Sequence, residues 1–304
     1  MTDFPFTSRI RHYRIVAPID NTLNSTVKLA VNTRNTEKVI LKFMLIKDKT
    51  LERIDMECFI LSNMSHKYII PLREFFDENG FRVMVMLHGK SNLRDYFVKN
   101  KVLDIHFLSI IMYRCLKGLD YIHQTRVLHG DIKPENLVFL DETRDDPIPA
   151  FIDFGFAQVL DDQHRCTCRN FTMIYASPEQ KDFKGHSFPS DIWSLGLTFS
   201  FILTGKALSC STIHDELMDI AKKHYNCSHI PNSEDLSDLI LHMVDPDESS
   251  RWTIKQCLSS SFFTHTLTDE WIAEEERRIG PVTINHITEA LIEGYDILSL
   301  ETVI

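Results

Sequence analysis

The stretch LHGDIKPENLVFL at residues 128–140, followed after a short polar loop by FIDFG at 151–155, decides the reading of this chain. It places Asp131, Lys133 and Asn136 on one tight loop and Asp153 at the start of another, each beside a run of strand-forming apolar residues. Two carboxylates, an amide and an ammonium suit one task together. They can hold a divalent metal and a polyphosphate beside a hydroxyl that is to be activated.

The chain has 304 residues, enough for one large domain or two lobes with a sizeable core. Its 43% hydrophobic and 25% charged residues are ordinary for a soluble globular protein. A net charge of −10 with no dense Lys/Arg block argues against nucleic acid as a partner. The opening MTDFPFTSRIRHYR lacks the apolar run of a signal peptide, and the best membrane candidate, 195–203, is too short to span a bilayer. No membrane association is expected. Seven cysteines at irregular spacing do not look like a disulfide framework. The expected setting is reduced, intracellular and cytoplasmic, with the nucleus left open.

Outward from the opening stretch, residues 13–44 are rich in Val, Ile, Leu and Thr, broken by turn residues at Asp20-Asn21 and 32–35. That pattern predicts an antiparallel meander of about three strands. Residues 51–64 switch to helical spacing through Ile54, Cys58, Leu61 and Met64. Two apolar runs follow, 69–72 and 81–87, around the turn at 77–80. Beyond Ser91 the pattern is helical, with a stripe at Leu108, Ile111, Cys115, Leu119 and Ile122, and further helices expected at 191–203, 213–224, 235–244 and 253–258. Strands first and helices second predict an α+β chain in two lobes. No internal repeat or low-complexity tract interrupts it.

The two polar loops resemble the catalytic loop and the metal-binding loop of eukaryotic protein kinases of the serine/threonine type, and the resemblance extends from about Tyr13 to Phe263. It implies a bilobal protein kinase fold, with an amino-terminal lobe at 13–88, a larger helical lobe at 89–263, and a carboxy-terminal helical extension at 264–304. By this resemblance Asp131 is the base or orienting group for the acceptor hydroxyl, and Lys133 neutralises charge on the transferred phosphoryl group. Asn136 and Asp153 are ligands for Mg2+. Val39-Ile40-Leu41-Lys42 resembles the strand that supplies the phosphate-binding lysine, paired with Glu57 on the following helix. Alone, a lysine ending a strand is usually just solvated. Ile19, Val27, Ile40, Met86, His88 and Val138 are the further residues expected around ATP, with a one-residue slip possible at the hinge.

Other matches have structural roles. Ser177-Pro178-Glu179 closes the activation loop, and Arg251 sits where the family pairs an arginine with that glutamate. Asp191 begins the central helix of the large lobe and is expected to hold the catalytic-loop backbone. Thr172 stands where serine/threonine kinases keep a threonine against the catalytic aspartate. Leu61, Leu72, His129 and Phe154 fall at the four positions of the family's internal apolar stack.

Two departures matter. The glycine-rich turn expected before the lysine strand is Ile19-Asp20-Asn21-Thr22-Leu23-Asn24-Ser25-Thr26-Val27, so Asp20, Thr22 and Ser25 replace all three glycines. Side chains stand where backbone amides should approach phosphate. Ile40 replaces the usual alanine above the adenine. Gly130 and Gln158 also replace two cations that commonly bind a phosphate on the activation loop, so control by phosphorylation there, at Thr167 or near Cys168, is not expected. Cys166 and Cys168 with His164 raise metal or redox chemistry, against the blander reading of a solvated loop. The tail carries an acidic-then-basic stretch at 269–278 and an amphipathic one at 284–292, read as a helix packed on the large lobe or a docking segment for a partner. The expectation is an ATP- and Mg2+-dependent kinase acting on Ser/Thr hydroxyls of a protein substrate, with a pseudokinase scaffold or allosteric regulator as the alternative.

Overall fold

A computed structural model describes residues 8–21, 25–100, 104–143, 145–160, 165–206 and 233–280. The helix expected at 213–224, the amphipathic stretch at 284–292, Thr22 and His164 lie outside the described residues. The described residues divide into two compact units, one from 8–65 together with Ile70–His88, the other from His66–Ile69 together with 89–280.

The first unit is a six-stranded antiparallel sheet in the order β1-β2-β3-β4-β6-β5 with one helix. Its strands are β1 (Arg9–Ile10), β2 (Tyr13–Asn21), β3 (Ser25–Asn32), β4 (Lys38–Leu45), β5 (Leu72–Glu78) and β6 (Phe81–Leu87). The meander expected over 13–44 is β2–β4. The expected strand at 69–72 is displaced: β5 begins at Leu72 and runs through residues read as turn. Pro71 has no N–H to give a ladder, which ends the strand on that side. Polar Arg73, Glu74 and Asp77 hide the strand from a pattern search, whereas Phe75 and Phe76 are buried. Asn79 and Gly80, at φ 51° and 80°, form the two-residue connection between β5 and β6, where two left-handed residues match the twist of the strands.

Alternation along β4 organises this unit. Val39, Leu41 and Phe43 point into the core with Ile10, Tyr13, Ala30, Phe76, Val83 and Val85. Ile40 and Lys42 therefore face the opposite side. The helix α1 (Asp48–Ser62) buries Ile54, Cys58 and Leu61 at the expected spacing, and Met64 lies just past its end. Arg82, 1% exposed, fastens β6 to the helix through Asp55 at 2.9 Å and to β5 through Asp77.

The second unit is helical. Its helices are α2 (Leu93–Lys99), α3 (Ile105–Gln124), α4 (Pro178–Lys181), α5 (Phe188–Thr204), α6 (Ser233–Met243), α7 (Ile254–Leu258), α8 (Ser261–Thr266) and α9 (Asp269–Ile279). Two short ladders, β7 (Val127–Leu128) with β10 (Gln158–Val159) and β8 (Leu137–Asp141) with β9 (Ile148–Phe151), carry the polar loops. The stripe Leu108, Ile111, Cys115, Leu119 and Ile122 of α3 is fully buried. Gly118 on the same helix allows close approach to the sheet, since a Cβ there would stand 2.9 Å from the Phe151 ring.

Residues 264–280 are held to this unit by buried charge. Glu275 on α9, 1% exposed, accepts from Arg114 of α3 at 2.6 Å and from Lys67 at 3.1 Å. Arg114 also donates to the Pro147 carbonyl at 2.6 Å, and Tyr113 to Glu276 at 3.0 Å. Five described cysteines are free, and no described helix is long and apolar enough to cross a membrane.

Candidate active site

The β8–β9 hairpin decides where the acidic and amide groups stand. Leu137 pairs with Phe151 and Val138 with Ala150, so Asn136 precedes one strand where Asp153 follows the other. The bond from Ile152 N to Asn136 O, 3.0 Å, continues the ladder into the loops. Pairing of β7 with β10 brings the residues after Asp153 back beside Leu128. The two loops that are separate in sequence therefore meet at one end of two short ladders.

The catalytic-loop candidate is fixed from below by Asp191. Its carboxylate, in the first turn of α5 and 1% exposed, accepts from the backbone N–H groups of His129 at 2.8 Å and Gly130 at 3.0 Å. It also meets His123 Nε2 at 3.0 Å. Burial alone would push this carboxyl up, but the hydrogen bond and charge of His123, with His129 and Gly130, outweigh it and hold the carboxyl below the usual range. His129 Nε2 donates to the Ile152 carbonyl at 3.1 Å while its Nδ1 accepts from Asp131 N at 3.3 Å, which fixes the ring tautomer. The His129 ring lies 4.8 Å from that of Phe154.

Asp131 is 4% exposed, and its carboxylate is engaged from three sides. Oδ1 accepts from Thr172 N at 2.9 Å. Oδ2 accepts from Lys133 Nζ at 2.6 Å and from Asn136 Nδ2 at 3.2 Å. Lys133 Nζ also donates to Thr172 Oγ1 at 2.9 Å. The Asn136 amide nitrogen is turned to Asp131, donating also to its backbone carbonyl at 2.9 Å, so the amide oxygen is the arm left for a cation. Asp153 has φ 60°, a left-handed conformation that Asp tolerates better than most residues. One amide oxygen and one carboxylate, held by a rigid hairpin end, are hard donors of the kind magnesium takes.

In the other unit, Lys42 Nζ meets Glu57 Oε1 at 2.6 Å, with side chains 12% and 4% exposed. Val27 and Met84 lie opposite Lys42, and Met86 opposite Ile40. Directly opposed residues of antiparallel strands share a face, so Val27, Ile40, Lys42 and Met86 line one side of the sheet. Ile19 on β2 is 54% exposed, and His88 follows the end of β6, its imidazole lowered by burial and by Lys38. Val138 belongs to the second unit, where it bridges to Asn92. Asp20 pairs with Val27 on an exposed strand end and accepts from Asn21 N at 2.8 Å.

The structural pairs are equally specific. Arg251 meets Glu179 with two parallel bonds of 2.7 and 3.1 Å, and its guanidinium also reaches the carbonyl oxygens of Asp245 and Pro189. Ser177 has a purpose that an alanine could not serve. It caps α4 through Gln180 N at 3.4 Å, and Gln180 returns the bond to Ser177 N at 2.9 Å. Sequence reasoning missed His123, Arg82, the Arg114–Glu275 pair and His186. Each acts across a long sequence separation, and helical periodicity marks only that such a residue faces inward.

Comparison with known proteins agrees with this geometry. The family model described as protein kinase domain matches residues 19–263. The chain is 31% identical over 230 residues to the serine/threonine-protein kinase PLK1 of Xenopus laevis, covering 75% of this chain and 38% of that protein. It is 29% identical over 247 residues to ribosomal protein S6 kinase alpha-6 of Homo sapiens, covering 78% and 32%. With calcium-dependent protein kinase 5 of Plasmodium falciparum the identity is 28% over 240 residues, covering 77% and 42%. The chain thus spans about a third to two fifths of the length of these relatives. With the family model matching most of its residues and the α+β architecture that goes with it, the chain belongs to the protein kinase family.

Proposed function

We propose that the chain is a serine/threonine protein kinase that transfers the γ-phosphoryl group of ATP to a protein hydroxyl. The observation that carries this is the Asp131 carboxylate held by Lys133, Asn136 and Thr172 N. A carboxylate so placed orients an acceptor hydroxyl and takes its proton as the new P–O bond forms and the bond from the γ-phosphorus to the bridging oxygen breaks, releasing ADP. Lys133, the cation held beside it, stabilises charge on the group in transfer. Thr172 sets the position of both, and together with Lys133 it supports serine or threonine as acceptor.

Lys42, oriented by Glu57, is the cation for the nucleotide's phosphates, and the sheet face bearing Val27, Ile40 and Met86, with Ile19, His88 and Val138, is assigned to the nucleotide. Asn136 and Asp153 would hold Mg2+, which when bound supplies positive charge to the polyphosphate. Ile40 and the glycine-free turn at Asp20 make nucleotide affinity modest. The kinase domain is assigned to 13–263, and the residues after it to an extension. Free thiols fit a reducing compartment, and we place the chain in the cytoplasm.

The experiment is radiolabelled phosphotransfer from Mg-ATP to a generic protein acceptor, followed by phosphoamino-acid analysis. Label on serine or threonine is expected. Label on tyrosine alone would overturn the acceptor assignment, and no label together with no thermal shift at millimolar Mg-ATP would favour a non-catalytic scaffold. A nucleotide at about 100 times its Kd adds about 2.7 kcal/mol of stability, so binding is readily seen.

A further inference from the structure

We propose that Cys166, Cys168 and His186 form a site for one borderline-soft divalent cation, with zinc the ion their chemistry favours. The convergence has a backbone cause. Cys166 N donates to His186 O at 2.8 Å and His186 N to Cys166 O at 2.9 Å, so the two residues are directly opposed in an antiparallel bridge. Directly opposed residues point to the same face. Cys168 stands two residues farther along an extended segment, and period-two alternation returns it to that face. One donor atom from each of the three side chains lies within 4.8 Å of the others.

Core packing accounts for part of this arrangement only. Cys166, 6% exposed, sits in a small apolar cluster with Leu128 and Leu160, and a thiol suits such a place. His186 does not fit that explanation. It is 2% exposed, its Nε2 is buried without a hydrogen bond of its own, and the Cys168 thiol is the group that its imidazole meets. An imidazole nitrogen withdrawn from water without a partner is costly unless something binds it. Two thiols and an imidazole are the donors that zinc takes, and oxygen-seeking magnesium does not.

The geometry is close to what tetrahedral zinc needs. With Zn–S near 2.3 Å and Zn–N near 2.0–2.1 Å, donor atoms lie roughly 3.6–3.8 Å apart. Cys166 Sγ and Cys168 Sγ are now 2.9 Å apart, sharing a hydrogen. Loss of the two thiol protons and a small rotation of Cys168, the partly exposed member, opens that distance. The fourth position is left to water or another donor. A bound ion would clip the segment after Arg165 to the turn before α5, beside Leu128 at the entry to the catalytic loop. Such a clip would fasten the segment where Gly130 and Gln158 offer no cation to a phosphate.

The test uses the untagged full chain, kept reduced and freed of metal, titrated with Co2+ alone. The expected result is a thiolate-to-cobalt charge-transfer band and the strong visible bands of a four-coordinate ion. These saturate at one equivalent, vanish on adding Zn2+, and are lost in Cys168→Ser. Cys168→Ser replaces a partly exposed side chain, and its thermal melt in the absence of metal checks that it folds. As a second reading, one equivalent of Zn2+ raises the melting temperature of the natural chain and leaves that of Cys168→Ser unchanged. No charge-transfer band in the natural chain overturns the proposal. So does a band retained in Cys168→Ser, which would put the metal elsewhere. Neither outcome depends on phosphotransfer, so this site and the kinase reading fail separately.

Discussion

The backbone N–H of Thr172 donates to the carboxylate of Asp131 at 2.9 Å, and the Thr172 hydroxyl accepts from Lys133 Nζ at 2.9 Å. Thr172 therefore holds Asp131 and Lys133 by main chain and side chain together. Thr172→Val keeps the first bond and removes the second. A hydrogen bond to a charged group contributes about 1.5–3 kcal/mol, so phosphotransfer should fall roughly 10- to 100-fold. The melting temperature should fall by only several degrees, leaving the chain folded at assay temperature. Steady-state kinetics beside a thermal melt distinguish this from misfolding, and Thr172→Ser should restore most of the rate.

Asp191 carries a different burden, because it satisfies two buried backbone donors that no other group reaches in the described contacts. Asp191→Asn offers one acceptor oxygen and turns an amide donor toward the other N–H. The expected loss is about 2–3 kcal/mol of stability, read from the urea midpoint at unchanged slope. Activity should fall as well, since His129 and Gly130 lead directly into Asp131.

Gly130 tests whether an arginine lost from the usual pattern could simply be put back. It has φ 78°, and a Cβ there would lie 2.9 Å from the Phe156 carbonyl oxygen. A backbone atom cannot move aside cheaply. Gly130→Arg should destabilise the chain by about 2 kcal/mol, from left-handed strain and the clash. It should lower activity and confer no dependence on activation-loop phosphate. Differential scanning calorimetry and an assay after phosphatase treatment check both parts.

His66 makes stability depend on pH. Burial pulls its imidazole down to about 4, with Lys117 and Lys67 adding to the effect. Its ring stacks on Tyr121 at 4.6 Å, and Nδ1 accepts from Tyr68 N at 3.2 Å, which only the neutral ring can do. The unfolded chain binds the proton near pH 6.5 and the folded chain only near 4, so stability is full above 6.5 and is lost as pH falls toward 4. At about 1.4 kcal/mol per unit over about 2.5 units, a loss of roughly 3 kcal/mol is expected across that window. His66→Asn should flatten the slope between pH 6.5 and 4 in urea titrations.

Much of the fold and the site was legible because the signals were local. Alternation along β4 marked Val39, Leu41 and Phe43 as core and set Lys42 on the other face. The loop spacing of Asp131, Lys133 and Asn136 was legible, and the β8–β9 register sets Asn136 before one strand where Asp153 follows the other. What stayed hidden depends on tertiary approach. Nothing in the sequence around Arg114 announces Glu275, 161 residues away. Beside Cys166 and Cys168 the sequence marked His164, which lies outside the described residues, and gave no sign of His186, which a single antiparallel bridge sets opposite Cys166. β5 escaped because its two buried aromatics, Phe75 and Phe76, are adjacent and polar residues flank them on both sides, so no alternation marks the strand.

The most direct test compares phosphotransfer from Mg-ATP by the natural chain and by Asp131→Ala under single-turnover conditions, both shown folded by thermal melt. A well-placed acid–base group contributes typically 10²–10⁴-fold, so the substitution should reduce transfer by about that factor while Mg-ATP still shifts both melts. Equal transfer by the two proteins, or none by either, would contradict the role given to Asp131.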